Sequence, residues 1–120
     1  MVDSLKGRWE RLMFDIENVS ANVAMDVDDR GTGSFEFVLV GEDKPGQPRR
    51  GELHSKLSGD GRVSMETMGG DLPPITFEGQ VFSVKVHARA AIAGTYRGAD
   101  IRDGLERGGV AIFWLYGDQK

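Results

Sequence analysis

Apolar and polar residues alternate through most of this chain with the period of a half-buried β-strand. Val19, Ala21, Val23, Met25 and Val27 share one phase, and residues 28–33 (Asp-Asp-Arg-Gly-Thr-Gly) follow as a turn. Phe35, Phe37 and Leu39 alternate with Glu36 until the Pro/Gly-containing stretch 41–46 breaks the run. Leu53, Ser55 and Leu57 oppose Glu52, His54 and Lys56. Ser58-Gly59-Asp60-Gly61 is a strong hairpin signal and leads into Val63, Met65 and Thr67. Together these segments predict a meander of short antiparallel strands.

After the interruption at residues 69–74, Ile75, Phe77 and Gly79 resume the odd phase. From Phe82 the apolar phase is even: Phe82, Val84, Val86, Ala88, Ala90, Ile92, Gly94 and Tyr96. This change predicts a β-bulge beside Gly79. It is followed by one long curved strand, or by two strands meeting at a corner among Ala88 to Ala93. Residues 97–109 read as a polar connection with room for one helical turn, and Val110 to Tyr116 closes the chain, apolar on both phases.

Residues 4–17 admit two readings. Leu5, Trp9, Leu12, Met13 and Ile16 form a helical stripe with Ser4 as N-cap. As a strand, Gly7, Trp9, Arg11 and Met13 alternate against Leu12, Phe14 and Ile16, with a bulge near Arg11. The strand is favoured because Gly7 in a helix interior costs about 1 kcal/mol. Seven to eight antiparallel strands in 120 residues leave edges to be dealt with, and closure removes them. The fold expected is all-β, a small up-and-down antiparallel barrel in one domain spanning 1–120. The alternative is a curved sheet packed on an N-terminal helix.

Composition adds constraints. The 17 glycines, scattered among short apolar runs, suit turns and bulges. No cysteine is present, which removes disulfides and thiolate chemistry and fits a cytoplasmic protein. No apolar run is long enough for a signal core or a membrane span. A formal charge of −4 argues against nucleic acid as partner. The basic loop Lys44 to Arg50 reads as a solvated turn.

The element Leu5-x-Gly7-x-Trp9-x-x-Leu12 resembles the opening of calycin-type barrels, the lipocalin-like and avidin-like families, where G-x-W begins the first strand. Gly94-Thr-Tyr96-Arg-Gly98 and Gly108 to Trp114 are similar in character to avidin-like strands. The resemblance implies a closed barrel whose mouth holds a small, mostly apolar molecule. It also implies that Trp9 sits low in the barrel under an arginine from a late strand, Arg97 or Arg107. The chain carries two tryptophans, not the set that walls an avidin-like site.

Chemistry is sparse. His54 and His87 fall on polar phases of their strands and read as surface residues. Asp26-x-Asp28-Asp29-x-Gly31 resembles a calcium loop, but the fifth and twelfth positions are Arg30 and Phe37, so it reads as a hairpin turn. No catalytic residue, metal ligand or cofactor is assigned. Trp9, Phe35, Phe37, Phe77, Phe82, Tyr96 and Trp114 are the aromatics of the inner phases. A ligand site needs a few polar groups in such walls, which selects Ser55, Thr67 and Tyr96 together with Trp9 and Trp114. The two-sided last strand leaves an apolar face outside, assigned to Phe113 and Leu115 with Val38 and Val40, and predicts self-association as a dimer. The function expected is a non-catalytic module holding a small apolar or amphipathic molecule. The alternative is a protein-interaction or regulatory protein with a packed barrel, acting through its surface.

Overall fold

The computed structural model describes residues 4–15, 20–40, 48–71, 73–84, 90–99 and 104–115. They form eight strands: β1 (Gly7–Asp15), β2 (Ser20–Val27), β3 (Thr32–Val40), β4 (Arg49–Leu57), β5 (Arg62–Met68), β6 (Ile75–Ser83), β7 (Ala90–Ala99) and β8 (Glu106–Leu115). Each is antiparallel to the next, and β8 pairs with β1, so the sheet closes into an up-and-down barrel. No helix occurs among the described residues. The N-terminal stripe is therefore a strand, and closure, not a covering helix, disposes of the sheet edges.

Closure is staggered. A row of paired residues followed from Arg49 through Phe37, Val23, Arg11, Phe113, Ile92 and Val81 reaches the β4–β5 turn at Gly61. The β4–β5 register carries it back to the line of β4 at Gly59, ten residues on from Arg49. Such a shear tilts the strands by roughly 40°, and eight strands leave an interior just wide enough for side chains or one small ligand.

The odd phase of β1 to β6 and the even phase of β7 point inward; on β8 the odd phase does. The core is Trp9, Met13, Val23, Met25, Phe35, Leu53, Val63, Phe77, Ile92, Phe113 and their neighbours. Phe113 meets the rings of Phe35 and Phe77 edge-on, at centroid separations of 6.4 and 5.6 Å. Small residues make room for these rings. Gly79 and Gly94 pair directly, with Ala111 next in the row.

The two hairpins at one end are built alike. Asp28 N–H donates to Thr32 O (2.8 Å) and Gly31 N–H to Asp28 O; Ser58 N–H donates to Arg62 O (2.9 Å) and Gly61 N–H to Ser58 O. Gly31 and Gly61 have φ of 85° and 86°, which disfavours any other residue there. The Gly31 carbonyl then accepts from Ser55 N–H, and the Gly61 carbonyl from Val81 N–H, tying each turn to the following strand. The calcium-like segment is accordingly a hairpin turn, as its ligand pattern suggested.

Several expectations are corrected. The register runs through Gly79 without a bulge. The change of phase falls instead between β6, which ends at Ser83, and β7, which starts at Ala90, so these are two strands and Phe82 points outward, 50% exposed. No bulge interrupts β1 either. Arg11 lies opposite buried Val23 and Phe113 yet is itself exposed, as an unpaired guanidinium in an apolar core would cost several kcal/mol. Residues 97–99 and 106–109 extend β7 and β8 and do not belong to a connection. Ile16, Val19, Lys44, Val86, His87, Ala88 and Tyr116 lie outside the described residues.

Candidate functional site

The interior is sealed at the end where β1 begins. Gly7 has φ of 136°, and a Cβ there would meet Leu115 Cδ1 at 2.7 Å. Glycine lets the preceding residues turn under the barrel, where Leu5 is buried and its carbonyl accepts a hydrogen bond from Trp9 Nε1 at 2.8 Å. Trp9, paired with Met25 and Leu115, is 0% exposed. The G-x-W element thus builds a floor: a glycine to bend the chain, an indole to fill the width, and a backbone acceptor for the indole N–H. Neither arginine expected over Trp9 lies there. Arg97 faces outward and pairs with Glu106 at 3.6 Å, and Arg107 is half-buried opposite Gly98 near the other end of β8.

Above the floor the described residues nearly fill the space between them. A cavity of about 20 Å³ remains, bordered among others by Met13, Met65, Thr67, Phe77, Tyr96 and Phe113. That is room for about one water, and the lining is apolar, the condition under which such voids stay dry. Thr67 is buried, but its hydroxyl donates to Pro73 O (3.3 Å) and accepts from Ile75 N–H (3.0 Å). Ser55 Oγ donates to Gly31 O at 2.8 Å. Both hydroxyls hold turns in place.

Of the residues selected for a ligand site, Trp9, Ser55, Thr67 and Tyr96 lie on inward positions, with Thr67 and Tyr96 at the cavity, Ser55 at a turn and Trp9 in the floor. Trp114 is not among them. It pairs with Ala91 and Glu10 on the outward phase and is half-buried there. The faces of β8 are the reverse of those expected: Phe113 (2% exposed) and Leu115 (7%) are core, and Val110, Ile112 and Trp114 are the outer face. Phe113 faces inward because its register partners are inward Ile92 and Arg11's row, whereas Trp114 follows the outward one. Val38 does face outward, opposite Asn22, and is half-buried. Val40 closes β3 opposite Ser20, and its side chain lies outside the described set.

The outer wall has two unlike faces. Across β1, β8, β7 and β6, rows of paired outward residues read Leu12, Ile112, Ala93, Gln80; then Phe14, Val110, Thr95, Glu78; then Glu10, Trp114, Ala91, Phe82. Apart from Glu10 and Glu78 at its margins this block carries no charge. Across β3 to β6 the outward rows are Thr32, His54, Glu66, Thr76 and then Lys56, Ser64, Glu78. They flank an open trough of about 500 Å³ floored by Ser55, Met65 and Phe77, with Arg30 at one end. His54 is exposed, as its phase suggested. Among the described residues no three histidine, aspartate or glutamate side chains converge on a point that could hold a metal ion. Comparison with protein-family models, curated proteins and solved structures finds no match to this chain.

Proposed function

We propose that this chain is a non-catalytic protein-interaction module: a packed, calycin-like barrel that acts through its outer wall and pairs weakly with a second copy of itself. The observation that supports the reading is that the described residues nearly fill the interior among them. About 20 Å³ of apolar void is an order of magnitude below the ~300 Å³ of the smallest usual ligand pockets. The charged outward residues of β4 and β5, Glu52, Lys56, Arg62 and Glu66, support a barrel standing in water, the reverse of a lipid-facing one. Cytoplasmic residence is part of the same proposal, resting on the lack of cysteine.

The block on β1, β8 and β7 supports the second copy as occupant. On β8, Val110, Ile112 and Trp114 form a ridge; beside them β7 presents only Ala91, Ala93 and Thr95, a furrow. A two-fold axis running between the two strands seats the ridge of each copy in the furrow of the other, every contact occurring twice. A negatively charged chain meets its copy there without like-charge repulsion. The block measures roughly 19 by 17 Å. That is well below the ~800 Å² per partner of standard interfaces, so pairing is reversible. Sedimentation of the purified chain should show a monomer–dimer equilibrium that Val110→Glu and Phe82→Glu, both at exposed positions, shift to monomer. A strict monomer at all concentrations would remove the self-association.

The ligand-holding reading keeps one supporting observation, the position of the cavity beside Thr67 and Tyr96. It requires side chains such as Met13 and Met65 to move aside. Native mass spectrometry of the purified protein distinguishes it by a retained small molecule.

A further inference from the structure

The geometry points to the β3–β6 trough as a docking site for an extended segment of a partner protein that carries acidic and basic residues a few positions apart. Its banks are successive outward rows of the sheet, His54 with Glu66 and Thr76 on one side, Lys56 with Ser64 and Glu78 on the other. Rows two residues apart along a strand stand about 7 Å from each other. That is narrower than the 10–12 Å diameter of an α-helix and suits a single extended chain. The trough crosses β4, β5 and β6, and its charge is ordered along that path. Arg30 and Lys56 stand on the β3–β4 side; Glu66 and Glu78 stand on β5 and β6.

These charges are also unpaired where others on the wall are paired. Arg8 bonds Asp26 and Glu10, Arg50 bonds Glu36, Arg62 reaches Asp60, and Arg97 reaches Glu106. Lys56, Glu66 and Glu78, by contrast, stand on three successive strands and form no ion pair among the described residues. A partner segment with its acidic residue over Lys56 and its basic residue over Glu78 satisfies both ends. The two strands lie about 10 Å apart, or about three residues of extended chain. Complementary ends of this kind set specificity and orientation more than raw affinity. The inference rests on the outer wall being the working surface, on a face that meets the self-association block only at Glu78.

The test is a titration of the ¹⁵N-labelled full chain at low salt with three peptides: Asp-Asp-Gly-Lys-Lys, Asp-Asp-Gly-Asp-Asp and Lys-Lys-Gly-Lys-Lys. The mixed peptide should give saturable amide shifts at residues 54–56, 64–66 and 76–78, and bind at least about fivefold more tightly than either single-sign peptide. Arg30→Glu with Lys56→Glu should lose the mixed peptide and gain the all-basic one, a gain that loss of folding cannot mimic. No saturable shift at millimolar peptide, equal response to all three, or shifts centred on another face would overturn the proposal. Sedimentation reports the self-association independently, so failure of one is distinguishable from failure of the other.

Discussion

The indole Nε1 of Trp9 donates to the carbonyl of Leu5, four residues back, at 2.8 Å, and both side chains are buried. One tryptophan therefore closes the barrel and fixes the segment that passes beneath it. Trp9→Ala removes a fully enclosed side chain and leaves that carbonyl without its donor. Such truncations cost about 3–5 kcal/mol. Trp9→Phe should cost less, because the ring still fills part of the space. Denaturant melts of the two variants measure the difference. A loss below about 1 kcal/mol for the alanine variant would mean that the floor is not load-sharing with the core.

Thr67 tests whether the polar groups near the cavity serve structure. Its hydroxyl lies between Pro73 O and Ile75 N–H, tying β5 to the start of β6. Thr67→Val keeps the shape and removes both bonds, leaving partly buried backbone groups without that partner, at about 1–3 kcal/mol. Urea denaturation should show that loss. An unchanged midpoint would return the hydroxyl to consideration as a ligand contact.

Alternation made β2 to β5 legible from residues alone, because one face of each is apolar and Asp28–Gly31 and Ser58–Gly61 announce their turns. Closure was legible as a way to remove edges. The face of β8 was not, since Val110 to Leu115 is apolar on both phases and only its pairing with β1 and β7 decides that Phe113 is core and Trp114 wall. The β6–β7 boundary was hidden for a related reason. Val84, Val86 and the alanines after them carry no glycine, proline or asparagine to mark a turn, so a phase change at a strand boundary read as a bulge. The trough was out of reach as well, because it depends on the register between β4, β5 and β6 and on Arg30 of the β2–β3 turn coming beside them.

Gly94 marks a close approach of β7 to β6. Its backbone is not in the left-handed region, so the demand for glycine is steric: a Cβ would overlap the Glu78 carbonyl oxygen and Gly79 Cα. Backbone atoms on a closed barrel have little freedom to retreat. Gly94→Ala should therefore destabilise by about 1–3 kcal/mol, the range of overpacked cores, despite the lower chain entropy of alanine in the unfolded state. Thermal melts would show it. A neutral or stabilising outcome would mean that the β6–β7 ladder spreads more easily than a closed register permits.

Asp28 supplies a pH dependence whose sign can be worked out. Its carboxylate accepts from the Thr32 hydroxyl (2.7 Å), from Arg30 N–H (2.9 Å) and from Thr32 N–H (3.0 Å). These bonds favour the charged form, the hydroxyl of Thr32 most, and hold the carboxyl below its ordinary value despite a small opposing effect of desolvation. A depressed folded-state pKa gives stability that is fully present above the unfolded value of about 3.9. That stability is lost as pH falls from there through the lower folded value, because the unfolded chain takes up the proton first. Asp28→Asn cannot titrate and keeps one acceptor oxygen. Melting temperatures followed from pH 6 to pH 2.5 should fall more steeply for the parent chain than for this variant, with the two curves converging at the acid end. Parallel curves through that window would show that the turn's hydrogen bonds do not distinguish carboxylate from amide, and that the β2–β3 hairpin is held by its backbone bonds and by the tie from Gly31 to β4.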